Sequence, residues 1–453
     1  MTVKRLHVIA LLVGIAALAV GARGRWSAAP SAVGRATLPP ATGTATIRFL
    51  ENRVARDPED FIALNKLTDL YLQRMRETGA LTYLTLASRA VDASLAALPA
   101  EQNPGGLAGL ARVEYSRHDF ARARDHARRL AELLPGKGYP FQMLGDALLE
   151  LGDYDGAEQA FRTMRRFGGL QVVTRMAMEQ RRSRVAALHG RTAAARRHMT
   201  AALSLASAPP SPVAETVAWC RWQLGELAFG VGDLAEAERQ QRDALTTFSD
   251  YFRALASLGR VRAARGDLRG AIEEYERAVE IVPDPSFVAA LGDLYHLTGR
   301  DRDAATQYAL VEQIARLGGA AGTLYDRQLA LFYADHDRDP ERAYALAESE
   351  YATRRDVYGS DALAWTALKA GRTAEAHLAM EAALRFGTRD ARLLYHAGMV
   401  AEATGAHVAA RAYLRRALAL NPGFDPLQAP RARTVLAMLD GVRLIAAAPT
   451  ERP

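Results

Sequence analysis

Cysteine is nearly absent. Cys220 is the single one in 453 residues, which excludes an internal disulfide framework, a cysteine-rich metal site and a lipoprotein anchor. A lone cysteine of this kind is expected to act as a small buried hydrophobe. Lysine is confined to Lys4, Lys66, Lys137 and Lys369, so arginine carries almost all the positive charge. Aromatics contribute only 7% of the chain although 49% is hydrophobic, and Ala and Leu make up most of the apolar content. Long windows hold few Val, Ile or Thr, which leaves little to build strands and favours helix throughout. No HExxH, CxxC or GxSxG string occurs, and Pro135-Gly136-Lys137-Gly138 lacks the spacing and following hydroxyl of a phosphate loop. The histidines beyond His7 (His118, His126, His189, His198, His296, His336, His377, His396, His407) are scattered and read as turn or solvent-facing residues. No catalytic residue, metal or cofactor is therefore expected.

The N-terminus carries a localisation signal. Lys4 and Arg5 precede an uncharged stretch from Leu6 to Ala22, and Val20 and Ala22 satisfy the small-residue rule for cleavage after Ala22. Residues 1–22 read as a signal peptide or, if retained, as an inner-membrane anchor formed by residues 6–22. The apolar stretch is short for a bilayer span, which needs about 20 residues. Residues 23–45, rich in Ala, Pro, Gly and Thr, read as a flexible linker. The expected location is periplasmic or elsewhere in a bacterial cell envelope.

The rest of the chain is too long for one compact core, and it repeats. LGDYDGAEQAF (Leu151–Phe161), VGDLAEAERQQ (Val231–Gln241), RGDLRGAIEEY (Arg265–Tyr275), TGRDRDAATQY (Thr298–Tyr308), AGRTAEAHLAM (Ala370–Met380) and TGAHVAARAYL (Thr404–Leu414) share one pattern. A glycine (Gly152, Gly232, Gly266, Gly299, Gly371, Gly405) is followed five residues later by an alanine (Ala157, Ala237, Ala271, Ala304, Ala376, Ala410). Seven residues before each glycine sits another small residue: Gly145, Gly225, Gly259, Gly292, Ala364 or Gly398. Weaker copies fit at Ala111/Ala123, Ser183/Gly190/Ala195 and Ala330/Ala343, and a divergent one opens the array near Leu67–Ala93. Most intervals between successive alanines are 33 or 34 residues, with loop-sized additions elsewhere, the mark of a solenoid. The turn glycine ends a first helix, and the small residue and the alanine let two helices approach closely. Bulky residues four positions after the alanine are expected to fill the space towards the following repeat. Pro135, Pro283 and Pro422 end the second helices.

These marks resemble the tetratricopeptide repeat family, whose helix–turn–helix unit keeps small residues at its eighth and twentieth positions. The resemblance implies an all-α, right-handed α-solenoid of about nine or ten repeats over residues 46–425. The run from Pro430 to Ala446 reads as a helix with Val435, Leu436, Leu439 and Val442 on one stripe, so residues 426–447 are expected to cap the array. Residues 448–453 are expected to fray.

In the family, the residue after the eighth-place small residue faces the concave groove. Here these are Arg112, Asp146, Arg184, Glu226, Arg260 and Asp293, then Leu331, Trp365 and Met399. They suggest either a self-neutralising ladder between neighbouring helices or a groove that is polar at first and apolar at its end. Gln142, Arg181, Trp219 and Trp222 are further groove candidates, the two tryptophans sharing a helix face. The Lys/Asn clamp of chaperone-binding members is not matched, its places holding residues such as Ala108, Arg112 and Gln142. One sector is strongly basic: residues 162–199 hold ten arginines against Glu179 alone, a net +9 in a chain of net +7. Arg182 there stands where the repeat expects an apolar residue.

The functional expectation is a non-catalytic scaffold or adaptor outside the cytoplasm, binding other proteins or peptides in the concave groove. One alternative is a rigid module binding an anionic polymer or membrane through residues 162–199. Another is a hydrolase or transferase whose site converges across repeats. No nucleic acid partner is expected, and membrane contact only through an uncleaved leader.

Overall fold

A computed structural model describes residues 41–169, 171–208, 212–318 and 325–441. The leader, most of the linker, Val442 and the tail lie outside the described residues. Ala41 already begins a helix, so the end of the expected linker belongs to the array. Among the described residues there are 22 helices and no strand, and none of the helices is long and apolar enough to cross a membrane.

A first helix, α1 (Ala41–Arg56), leads into ten antiparallel pairs. Repeats 1 to 5 are α2 (Phe61–Thr78) with α3 (Thr82–Ala97), α4 (Pro104–Ser116) with α5 (Phe120–Leu133), α6 (Gly138–Glu150) with α7 (Tyr154–Phe167), α8 (Val172–Leu188) with α9 (Thr192–Ala206), and α10 (Ala214–Phe229) with α11 (Leu234–Thr247). Repeats 6 to 10 are α12 (Phe252–Ala264) with α13 (Leu268–Ile281), α14 (Pro285–Leu297) with α15 (Asp301–Gly318), α16 (Asp326–Asp335) with α17 (Pro340–Thr353), α18 (Val357–Lys369) with α19 (Thr373–Leu384), and α20 (Ala391–Ala403) with α21 (His407–Leu420). A last helix, α22 (Gln428–Leu439), lays Val435, Leu436 and Leu439 on the apolar cluster around Leu414 and Phe424.

In repeats 3, 5 and 6 two adjacent residues make the tight turn. Gly152 at φ +80° ends α6 in the left-handed region, and Asp153 then caps α7 by accepting from the Gly156 backbone N at 2.9 Å. Gly232–Asp233 and Gly266–Asp267 do the same in repeats 5 and 6. In repeat 2 the left-handed place is taken by His118, at φ +63°, ahead of the capping Asp119.

The repeat alanines lie at the helix–helix contact, with Ala157, Ala237, Ala271, Ala376 and Ala410 fully buried and Ala304 nearly so. The bulky residues four positions later make a contact that the sequence did not suggest. They lie over the eighth-place glycine of their own repeat and also reach towards the next, as Tyr308 does to Phe332 at 5.9 Å and His336 at 5.0 Å. A Cβ on Gly259 would stand 2.7 Å from the Tyr275 ring, and one on Gly398 2.7 Å from Leu414. Gly145 meets Phe161, Gly225 meets Gln241 and Gly292 meets Tyr308 in the same way. Cys220 is fully buried, and burial pushes its thiol up to about 11.

The coil also closes on itself. Thr388 Oγ1 donates to the carbonyl of Leu188 at 2.6 Å, and Asn421 Nδ2 to that of Phe229 at 2.8 Å. These carbonyls end α8 and α10, where no intrahelical donor is available. The backbone N of Val357 donates to Tyr154 Oη at 2.9 Å, 203 residues away. The turn of repeat 3 thus rests on the end of repeat 8, that of repeat 4 on the end of repeat 9, and that of repeat 5 on the end of repeat 10. Successive superhelical turns touch, five repeats apart.

Candidate functional site

The inner face of the coil is built from the first helix of each repeat, and most of its charge is paired. Asp146 on α6 takes a two-point bond from Arg181 on α8, at 2.9 Å from Nε and 2.5 Å from Nη2. Arg260 on α12 meets Glu226 on α10 at 2.5 Å and lies 4.2 Å over the Phe229 ring. Arg112 on α4 pairs with Asp69 on α2 at 2.5 Å. Asp293 on α14 accepts from Tyr308 Oη at 2.8 Å and faces His336 Nε2 at 2.7 Å. Of the six alternating charges named from the sequence only Glu226 and Arg260 pair with each other; the rest are neutralised by other residues, Arg184 by Glu150, and together these pairs make the ladder.

Glu150 is the most connected member. It is 3% exposed, with Arg184 and Tyr115 on one oxygen and Arg354 Nε at 2.7 Å from the other. Burial alone would raise its pKa, but the Arg184 and Arg354 charges outweigh burial and hold it at about 2. Four repeats meet at this carboxylate: Tyr115 from repeat 2, Glu150 from repeat 3, Arg184 from repeat 4, and Arg354 just past the end of repeat 8.

The end expected to be an apolar groove is core instead. Trp365 is 1% exposed, donates from Nε1 to Asp335 at 2.8 Å and stacks on His396 at 4.4 Å. Asp335 also receives Gln428 of α22 at 2.5 Å and Arg392 of α20, so the α16–α18–α20 faces close over the tryptophan. Met399 is buried in the same cluster, with Leu331 partly buried against it. His396 is likewise buried, with Asp361 2.9 Å from Nδ1, and is not the solvent-facing residue expected of it. Trp219 and Trp222 are half-buried and edge-to-face at 6.5 Å, and Trp222 Nε1 donates to Ser257 at 2.9 Å.

Open space on the inner face lies at the N-terminal end. α2, α4 and α6 enclose a cleft of about 510 Å³ lined by Ile62, Lys66, Asp69, Arg112, Tyr139 and Gln142, within the usual range for ligand sites. Ile62 is 63% exposed and Tyr139 42% exposed. Of the named candidates, Arg112 and Gln142 line this cleft. Ile62, Lys66 and Tyr139 were missed, because they stand two or more positions away from the helix place used to pick groove residues. Among the described residues no group of three or more His, Cys, Asp or Glu could hold a metal ion.

The tetratricopeptide repeat profile matches residues 109–169, 223–286 and 362–423, which span repeats 2–3, 5–6 and 9–10. No curated protein sequence matches the chain. Among solved structures, the APC/C hetero-tetramer Cut9–Hcn1 is 12% identical and superposes with a TM-score of 0.34, covering 88% of this chain and 90% of the other. A tetratricopeptide repeat protein from Parabacteroides merdae is 15% identical with a TM-score of 0.32, over 58% of this chain and 98% of the other. The human IFIT1 dimer with PPP-AAAA is 14% identical with a TM-score of 0.41, over 82% and 94%. With ten stacked helix pairs, glycine-ended turns and buried repeat alanines in register with the matched segments, the chain resembles the tetratricopeptide repeat family and folds as an α-solenoid of such repeats.

Proposed function

We propose that this protein is a binding scaffold that takes an extended peptide segment of a partner protein into the cleft of its first three repeats. Arrays of this family serve as protein–protein interaction scaffolds, and the cleft at α2, α4 and α6 supplies a specific place for it. The observation that carries the reading is the pair of exposed apolar side chains, Ile62 and Tyr139, flanked by Lys66 and Arg112 in an open 510 Å³ space. Arg112 is paired with Asp69, whereas Lys66 has no carboxylate partner among the described residues; further along, the inner face is neutralised by its own ion pairs and offers less to a ligand. An aromatic beside a cation is the usual composition of a binding hot spot.

Peptides selected from a random displayed library against residues 23–453 test this reading. Binders should lose about tenfold or more in affinity on Tyr139→Ala with Arg112→Ala, a loss of at least about 1.4 kcal/mol. Failure to select any binder, or binders indifferent to both substitutions, would overturn it. The proposal places the activity outside the cytoplasm, supported by the charged and then apolar run over residues 4–22. Fractionation of cells producing the full chain, with N-terminal sequencing, checks that placement.

A further inference from the structure

The basic sector separates into two halves. Arg162, Arg181, Arg182, Arg184 and Arg196 are tied to Glu158, Asp146, Glu179, Glu150 and Asp233 respectively. Arg165, Arg166, Arg175, Arg191 and Arg197 are exposed and have no carboxylate partner among the described residues. Three of these five, Arg165, Arg175 and Arg191, open onto a place where the array itself parts. α7 meets α8 over a short stretch, whereas α5 and α6, α9 and α10, and α11 and α12 pack along much of their length. Arg182 stands on α8 where an apolar side chain would draw the seam shut.

The parted seam leaves two adjoining compartments of about 350 and 500 Å³. Arg165, Met178 and Arg182 line both, so they form one continuous cleft, with Arg191 at one end and Arg175 at the other. Phe161, Met178 and Val185 give it an apolar floor. The acids on its walls are already engaged. Glu179 is shared between Arg182 at 2.8 Å and His198 at 2.6 Å, and Glu158 faces Arg162 at 3.4 Å.

We infer that this seam between repeats 3 and 4 is a second binding site, for an acidic segment of a partner protein in which carboxylates alternate with apolar side chains. Charge complementarity selects the occupant. Arg165, Arg175 and Arg191 present guanidinium forks suited to carboxylates, and the floor between them takes an apolar side chain. A recessed cleft fits a single chain, whereas a bilayer surface engages protruding residues. The site is separate from the concave cleft of α2, α4 and α6, so either can fail without the other.

The test uses fluorescence anisotropy of a labelled peptide of alternating Glu and Leu, with a Gln/Leu peptide and phosphatidylglycerol vesicles as separate arms. Arg165→Glu with Arg191→Glu, and the milder Arg165→Gln with Arg191→Gln, alter exposed residues outside the ion-pair ladder. Wild type should bind the Glu/Leu peptide, with affinity falling on added salt. Both double variants and the Gln/Leu peptide should each weaken binding about tenfold or more, a change of at least about 1.4 kcal/mol. Equal binding of the Gln/Leu peptide overturns the inference without recourse to any variant. Unchanged binding by both double variants also overturns it, as does arginine-dependent capture of the vesicles with no capture of the peptide.

Discussion

Arg354 donates from Nε to the Glu150 carboxylate at 2.7 Å, joining residues 204 positions apart in the chain. Glu150 is the last residue of α6 and Arg354 follows α17 directly. The bond therefore closes one turn of the coil onto the next, and Arg184 binds the same carboxylate from within the first turn. A tetratricopeptide array is usually thought of as a chain of nearest neighbours. Here stability has a second component, running between repeats five apart.

The turn glycines test that component directly. Gly152 at φ +80° and Gly371 at φ +74° have the same backbone, but a Cβ at Gly152 would be driven into the Arg355 carbonyl, while one at Gly371 meets nothing within 4 Å. Gly371→Ala should cost only the left-handed strain, about 1–2 kcal/mol. Gly152→Ala should cost clearly more, because the opposing turn must move. Urea denaturation followed by circular dichroism compares them, and equal costs would show that the turns do not bear on each other.

Acid should loosen the coil through Glu150. Its carboxyl titrates near 2 in the folded chain against 4.5 ordinarily, so the unfolded chain binds the proton first. The stabilisation is fully present above about pH 4.5 and is lost as pH falls through about 2, amounting to about 3 kcal/mol. Glu150→Gln mimics the protonated form. The stability difference between wild type and this variant should shrink steadily between pH 4.5 and 2. Parallel stability curves across that range would contradict the assignment.

The two tryptophans named from the sequence should behave differently. Trp365→Ala removes a fully buried side chain and should cost about 3–5 kcal/mol, as large core truncations do. Trp222→Ala takes away a half-buried ring and its bond to Ser257, and should cost less. Thermal melts of the two variants check the order, and a Trp365→Ala protein as stable as wild type would place that residue back on an open groove.

What was legible in the sequence was local. Gly152, Ala157 and Gly145 announce their roles because a left-handed turn and a close helix contact each demand one residue type at one place. Asp153, Asp233 and Asp267, each just after a turn glycine, could have been read as helix caps and were not. Trp365 was misread because its position faces a groove in an open array, whereas here α16, α20 and α22 converge on it through Asp335, Arg392 and Gln428. Glu150 looked like an ordinary acid at a helix end. Its partner lies a full superhelical turn away, and that distance is set by small rotations summed over five repeats. No short motif records such a sum. The basic sector was visible as composition, but only the parted seam shows which of its arginines lack partners.

A double-mutant cycle between Glu150 and Arg354 tests closure of the coil most directly. Glu150→Gln, Arg354→Gln and the double variant would be unfolded in urea beside wild type. The structure predicts a coupling energy of about 1–3 kcal/mol between two residues 204 apart in sequence. Additive effects, with coupling within about 0.3–0.5 kcal/mol of zero, would mean that the turns of the array stand apart.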